Sequence, residues 1–440
     1  MVFPLIILGK VIVFCSRLFN VGSGGTWPGE IALSLNNKIL SIFFTKLRSG
    51  VILVAGTNGK TTTALMIKTV LEKKGYVVIH NKSGANLLNG LVSAFISQSS
   101  FTGEINADYG VFEVDENSLP LVISNIKNQK LIIVLLNLFR DQLDRYGEVD
   151  VIAEKWQKAL YKLSNDTTVI LNSDDPLVAY LGSEIKSKVE YFGLESVFSN
   201  NKNLEHATDS IFCLNCGSRL KYKKIIYSHL GDWKCEKCGL ERPKPKVYNY
   251  ASSLPGTYNK YNTTAAAATL LNLGITEEFI KSSLTNFNPA FGRQEEFKIG
   301  GKNIKIFLSK NPASFNESLR TVISMSAKHI LFVLNDRIPD GRDISWIWDV
   351  DFEMIPKNIE ITVSGDRAYD MAVRLKYAEK AQSSNLKTQN HNSKLKIFKK
   401  LREAIDYGLN QLRKNETLYI LPTYSAMLEV RKIIKGRKIL

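Results

Sequence analysis

Two α/β domains are expected for this 440-residue chain: a central one built round a phosphate-binding loop and carrying an inserted zinc ribbon, and a Rossmann-like C-terminal one. Three observations carry that expectation. Short β-rich apolar runs alternate with helical patterns over most of the sequence, as in a parallel sheet covered by helices. A loop rich in glycine and threonine joins the first of those runs to a helix. Four of the five cysteines fall into two CxxC pairs between residues 213 and 238.

Length supports the division, because one hydrophobic core seldom serves 440 residues. Hydrophobic residues make up 44% and charged residues 23%, with no long low-complexity tract, which excludes a largely disordered chain. The net charge of +16 suits an anionic partner. A nucleotide, a phosphorylated lipid, a membrane surface and a nucleic acid all satisfy it. An odd cysteine count with paired spacing argues against a disulfide framework and for a metal in a reducing compartment.

The first 45 residues form an N-terminal segment that opens with MVFPLIILGKVIVFCSRLF. Lys10 and Arg17 interrupt the apolar run, so it falls short of the roughly 18–20 residues of a spanning helix. It lacks the basic start and small-residue cleavage site of a secretory signal, and Phe14 before Cys15 spoils a lipid-attachment reading. Two readings stand: a helix packed on the first domain, or an interfacial helix holding the protein at a membrane.

From residue 46 to about 290 the pattern reads as the first α/β domain. Residues 51–55 (VILVA) form a buried strand, and residues 62–74 a helix with Leu65, Ile67, Val70 and Leu71 for burial and Gly75 as its stop. Further strands are expected at 77–79, 109–114, 131–136 and 168–171. Residues 205–245 break the pattern with cysteines and lysines, and an alanine-rich helix over 262–273 follows, closed by Gly274. The second domain, 291–440, places strands at 304–308, 330–334, 359–363 and 418–421, with a polar loop over 383–393.

Strand, then Gly56-Thr57-Asn58-Gly59-Lys60-Thr61-Thr62, then helix is the context of a phosphate-binding loop. Glycines let successive N–H groups face an anion at a helix N-terminus, which already favours negative charge. Lys60 can reach terminal phosphates, and Thr61 or Thr62 can ligate Mg²⁺. A plain glycine turn would not explain Lys-Thr-Thr at that point.

The string GTNGKTTT resembles the ATP loop of Mur ligases and folylpolyglutamate synthases, which join a carboxylate to an amine through an acyl phosphate. Four later segments fit the same family in order. NLFRDQLDRYG from Asn137 is similar to its N-x-x-x-D-H-x-D-R-x-G segment, and Asn172-Ser173-Asp174-Asp175 to its NADD turn. GTYNKYN from Gly256 is similar to G-x-[HY]-N-x-x-N, which implies that Asn259 and Asn262 face the adenine. Gly292-Arg293 resembles the glycine–arginine at the hinge, which implies that Arg293 approaches the γ-phosphate. Glu113, at a strand end, stands where the family has a Mg²⁺-binding glutamate. Gln142 departs from the pattern, replacing a metal-binding histidine, and no carbamylated lysine can be placed, although Lys155 and Lys158 lie nearby.

Cys213-x-x-Cys216, 18 residues, then Cys235-x-x-Cys238 has the spacing of a four-thiolate zinc site, with Gly217 and Gly239 after each pair for the knuckle turns. A closed sulfur shell leaves no open position, so this Zn²⁺ is expected to be structural, with His229 outside the ligand set. A redox pair would not need two CxxC motifs. The lysines at 221–224 permit nucleic-acid binding; insertion in an ATP domain favours a packing role.

The ribbon, Ser309-Lys310-Asn311-Pro312-Ala313 in place of a histidine-bearing motif, and Asp340-Gly341-Arg342-Asp343 leading to Trp346-Ile347-Trp348-Asp349 together resemble the MurT-type branch. That resemblance implies ATP-dependent activation of the D-glutamate α-carboxylate of lipid II and its amidation to D-isoglutamine. It implies a heterodimer with a GatD-like glutamine amidotransferase that supplies ammonia, and a catalytic Asp349 completing that partner's cysteine–histidine pair. Asp340, Asp343, Asp351 and Glu353 are the neighbouring acids that could serve instead. The sequence shows no glutaminase of its own. An amino-acid-adding ligase and a zinc-ribbon ATPase on nucleic acid are the alternatives; the second lacks aromatic–basic interleaving, so no nucleic-acid partner is expected.

Overall fold

A computed structural model describes residues 3–18, 25–81, 85–141, 148–195, 205–206, 208–288, 293–381 and 395–435. Gln142, Gly147, Gly292 and the polar loop at 383–393 lie outside the described residues, as does the side chain of Cys15.

The first sheet begins with β1 (Gly50–Ala55), β2 (Val78–His80), β3 (Tyr109–Glu113), β4 (Leu131–Leu135), β5 (Thr168–Asn172) and β6 (Lys188–Gly193). The ribbon hairpin, β7 (Lys221–Tyr227) with β8 (Leu230–Lys234), interrupts it before β9 (Val247–Tyr248) rejoins it. The order is β2-β3-β1-β4-β5-β6-β9, and every pair is parallel. Strands β1 to β5 are apolar on both faces because both are covered. Alternate side chains of β1 serve the two cores: Val51, Leu53 and Ala55 pack with the helices Trp27–Leu35, Ile39–Phe44 and Leu88–Gln98. Ile52 and Val54 pack with Lys60–Lys73 and Thr257–Asn272. Ala265 to Ala268 are all buried there, small enough for the helix to lie close to its neighbours.

The second sheet contains β10 (Arg293–Ile299), β11 (Lys302–Phe307), β12 (His329–Val333), β13 (Glu360–Ser364), β14 (Leu395–Ile397) and β15 (Thr417–Pro422), in the order β10-β11-β15-β12-β13-β14. Only β10 pairs antiparallel to its neighbour among these strands. The expected strands appear within one or two residues of their predicted bounds, and the expected α/β class holds. Strands β6, β9, β10 and β14 were not anticipated, and the alanine-rich helix starts at Thr257 rather than 262. In the first sheet the order reverses at β1, so the loop after β1 opens at the carboxyl edge beside a switch point, where such sheets form a crevice.

Candidate active site

The loop after β1 is held in a tight curl from within and from below. Gly56 and Gly59 adopt φ of +136° and +93°, and a Cβ on Gly59 would sit 2.1 Å from Asn262 Oδ1. Only glycine fits that close approach. Asn137 supports the curl: its carbonyl accepts the Thr57 N–H at 2.9 Å, its Oδ1 accepts the Asn58 N–H at 2.8 Å, and its Nδ2 donates to Asn58 O at 3.0 Å. The Thr57 hydroxyl donates to Phe139 O at 3.1 Å and accepts the Phe139 N–H at 3.0 Å.

Lys60 opens the following helix, and its ammonium donates to Gly56 O at 2.6 Å and to Glu116 Oε1 at 3.0 Å. Burial pushes the Glu116 carboxyl above its ordinary range, opposed by Lys60 and Lys310. The Thr61 hydroxyl touches the Glu113 carboxylate, which is buried at the end of β3. A hydroxyl and a carboxylate meeting at a helix start are hard oxygen donors of the kind that fits Mg²⁺. Thr62 is buried one position further on. Burial lowers the Arg293 guanidinium from its usual range, and Glu113 is close enough to oppose that shift. The loop and the Mg²⁺-type donors meet at the start of the helix that Lys60 opens; Arg293 opens β10.

Asn259 and Asn262 are buried at the start of the helix Thr257–Asn272. Asn259 Nδ2 donates to Pro255 O at 2.7 Å and Asn262 Nδ2 to Asn259 Oδ1 at 3.2 Å. Their place is against Gly59, beside the loop.

Four further residues join the site that sequence reasoning did not select. Asn311 caps the helix Pro312–Ser324 by accepting the Ser314 N–H at 2.9 Å, and its Nδ2 donates to Asn58 Oδ1 at 3.1 Å. Its neighbour Lys310 holds the Asp141 carboxylate. Burial pulls the Lys310 ammonium down, but Asp141 and Glu116 more than offset this and raise it. Arg140 N–H and Nε engage Asp209 at 2.9 and 2.5 Å, and Arg140 Nη1 donates to Asp349 Oδ2 at 2.9 Å. An Asn-Pro helix start and a run of charges after an apolar strand were the available signals.

Asp349 ends a 3-10 turn, Ser345–Asp349, with its side chain 36% exposed. Arg140 holds it at 2.9 Å, and its neighbouring acids have partners of their own: Asp340 accepts the Ser425 N–H at 2.7 Å, Asp343 accepts the Ser345 N–H at 2.8 Å, Asp351 holds Asn316 at 2.8 Å and Glu353 pairs with Arg374 at 2.8 Å.

The four cysteine sulfurs lie within 4.8 Å of one another, with Cys213 to Cys238 at 3.6 Å and Cys216 to Cys235 at 3.4 Å. A tetrahedral Zn²⁺ with Zn–S of about 2.3 Å needs sulfur separations of roughly 3.8 Å, so the set fits that ion. Gly217 and Gly239, at φ of +72° and +80°, turn their N–H groups onto Cys213 O and Cys235 O. The ribbon is anchored to the turn after β5. Trp233, 1% exposed, donates to Ser173 O at 3.1 Å, and Arg242 Nε donates to Asp174 Oδ1 at 2.6 Å. Burial raises the Asp174 carboxyl, opposed by Arg242, the Leu194 N–H and Tyr261. His229 is no part of the sulfur cluster: it is fully buried, 3.3 Å from Asp175 Oδ2, with its ring 4.7 Å from Phe139.

Comparison with known proteins supplies the family. The Mur ligase middle domain family matches residues 54–270, and the MurT ligase C-terminal family matches residues 308–427. The lipid II isoglutaminyl synthase (glutamine-hydrolyzing) subunit MurT of Streptococcus pneumoniae is 33% identical over 445 residues, 96% of this chain and 95% of its own. The corresponding Staphylococcus aureus subunit is 35% identical over 382 residues, 82% and 84% of the two chains. Among solved structures, a pseudomurein peptide ligase type C from Methanothermus fervidus superposes with a TM-score of 0.65 at 24% identity, over 90% of this chain and 80% of that one. MurF from Thermotoga maritima in complex with ADP does so at 0.61 and 13%, over 92% and 84%. The structural likenesses show a shared fold; the sequence relatives, spanning nearly the whole chain, show that it belongs to the MurT family of Mur-type ligases.

Proposed function

We propose that this chain is the synthetase subunit of a lipid II isoglutaminyl synthase, and that it activates the D-glutamate α-carboxylate of the lipid II stem peptide with ATP. The observation that carries this reading is the phosphate loop with Lys60 on Gly56 O and Glu116, Thr61 against Glu113, and Asn311, the neighbour of Lys310, bonded to Asn58. A carboxylate oxygen attacks the γ-phosphorus, the bond to the bridging oxygen breaks, and ADP leaves. Ammonia then attacks the acyl carbon, loses a proton and expels phosphate, leaving the carboxamide of D-isoglutamine. The loop N–H groups and Lys60 hold the phosphates, while Arg293 and Lys310 offset charge on the transferred group. Thr61 and Glu113 would hold Mg²⁺, which would neutralise phosphate charge. Asn259 and Asn262 complete the nucleotide pocket on its adenine side. Zn²⁺ on Cys213, Cys216, Cys235 and Cys238 is structural.

We assign the ammonia supply to a GatD-like glutamine amidotransferase in a heterodimer. An exposed aromatic patch supports a protein partner: Trp348, Tyr369 and Tyr377 are 49%, 60% and 58% exposed, and the Trp348 and Tyr377 rings lie 5.5 Å apart. Interface cores are enriched in such side chains. Asp349 follows Trp348 directly, and a carboxylate there could hold the tautomer of a partner histidine. Among the described residues no helix is long and apolar enough to cross a membrane; we place the enzyme in the cytoplasm, at the inner face of the membrane that holds its substrate.

The test is amidation by the assembled pair. Asp349→Asn should depress lipid II amidation from glutamine while amidation from free ammonium and ATP binding persist. Equal rates from glutamine in a variant shown to stay assembled would remove Asp349 from the triad. No amidation of lipid II by the wild-type pair from either source would remove the function itself.

A further inference from the structure

We propose that the N-terminal helix, Phe3–Leu18, lays a solvent-facing apolar stripe on an anionic bilayer surface. The helix is docked by its inner side: Ile6 is fully buried, and a Cβ on Gly9 would sit 2.7 Å from Ile96 and 3.5 Å from Pro28. Its outer side ought to be polar, as on most surface helices. Instead Phe3, Ile7, Val11 and Phe14, spaced to share one face, are 48%, 40%, 51% and 67% exposed. Phe101, 79% exposed, extends the patch: the Lys10 ammonium lies 4.9 Å from its ring centroid. A contiguous apolar face of this kind on a soluble domain marks a contact surface.

Charge selects the occupant. Lys10 lies at the patch itself, and along the first 48 residues five basic side chains, Lys10, Arg17, Lys38, Lys46 and Arg48, stand against the single acid Glu30, with Arg48 paired to Asp108 at 2.9 Å. Apolar side chains flanked by lysine and arginine are the recipe of an interfacial helix, in which basic groups reach lipid phosphates while the stripe enters the acyl boundary. A 16-residue helix spans about 24 Å, short of the roughly 30 Å hydrocarbon layer, so it lies on the surface instead of crossing. The choice of a bilayer over another partner also rests on the lipid-linked substrate proposed above.

The experiment floats the full chain with vesicles of equal parts phosphatidylglycerol and phosphatidylcholine, and with phosphatidylcholine alone. Wild-type protein should float with the anionic vesicles, less at high salt, and little with the neutral ones. Ile7→Glu/Val11→Glu should cut the floated fraction on the order of tenfold, since two apolar contacts become acidic. Both positions are exposed, so circular dichroism and nucleotide binding should be unchanged. Failure of the wild type to float, or equal flotation of the variant, overturns the proposal. So does a vesicle-free dimer of the wild type that the variant converts to monomer, which would make this face an interface between two copies. Amidation of detergent-solubilised lipid II separates the two readings: wild type and variant should be equally active there. If neither acts, the function has failed independently of flotation.

Discussion

Asp175 ties the zinc ribbon to the phosphate loop, and replacing it tests that tie. Its carboxylate has no exposure and four partners: the N–H groups of Leu138 at 2.8 Å, Leu177 at 3.0 Å and Val178 at 3.2 Å, and His229 Nε2 at 3.3 Å. Asp175→Ala leaves three buried N–H groups without that acceptor. An orphaned buried donor costs about 1–3 kcal/mol, and loss of a helix cap typically about 1 kcal/mol. Taking about 3 kcal/mol for Leu138 and the imidazole side together with the cap gives a loss of about 4 kcal/mol. With a urea slope of about 3 kcal/mol/M, the midpoint falls by about 1 M. Asp175→Asn keeps one acceptor but turns an NH₂ toward the Leu138 N–H, so its loss should be about half as large. Leu138 follows Asn137, which carries Thr57 and Asn58. Nucleotide affinity, titrated calorimetrically where the variants remain folded, should therefore fall with stability. Unfolding of Asp175→Ala within about 0.5 kcal/mol of wild type, the range of ordinary surface changes, would refute the reasoning.

Three other outcomes follow from the same structure. Lys60→Ala should abolish ATP turnover while leaving the circular dichroism spectrum intact, and near-normal turnover in a folded variant would sink the nucleotide assignment. Purified protein should carry one Zn²⁺ per chain, and Cys238→Ser should lose it and expose Trp233, which packs with Cys213 and Cys235. Metal analysis and the emission shift missing in a Trp233→Phe control check this; zinc-free protein with native emission would contradict it. Burial raises the Glu317 carboxyl from 4.5 to about 7, against the pull of Arg320. Between those values the folded protein keeps a proton that the unfolded chain releases, so this group's contribution to stability falls as pH rises across the window. Glu317→Gln should flatten the pH dependence of the unfolding free energy there, and an unchanged slope would count against the assignment.

What was legible in the sequence is what local physics writes into neighbouring residues. The run 51–55 followed by Gly56 to Thr62 specifies strand, anion loop and helix within a dozen positions, and the cysteine spacing specifies knuckles that the sulfur geometry then matches. Edge strands were missed because exposure removes their apolar signal: β10 reads RQEEFKI and β14 is three residues long. The alanine-rich helix begins a turn early because TYNKY carries no amphipathic face, its burial being nearly all-round. Lys310, Asn311, Arg140 and Asp141 stand in segments whose resemblance was legible, but their pairings were out of reach for a different reason. Lys310 and Asp141 are 169 residues apart in the chain and Asn311 and Asn58 are 253 apart, so only the packing of one domain on the other pairs them.

The central claim is that ATP activates the lipid II carboxylate by phosphorylating it, and one labelling measurement tests that directly. Lipid II carrying heavy oxygen in the D-glutamate α-carboxyl is incubated with this chain, ATP, Mg²⁺ and ammonium, and the inorganic phosphate is examined by mass spectrometry. An acyl phosphate hands one carboxyl oxygen to the phosphate when ammonia attacks, so each carboxamide formed should be matched by one heavy-oxygen phosphate. Carboxamide formed with unlabelled phosphate would contradict the account.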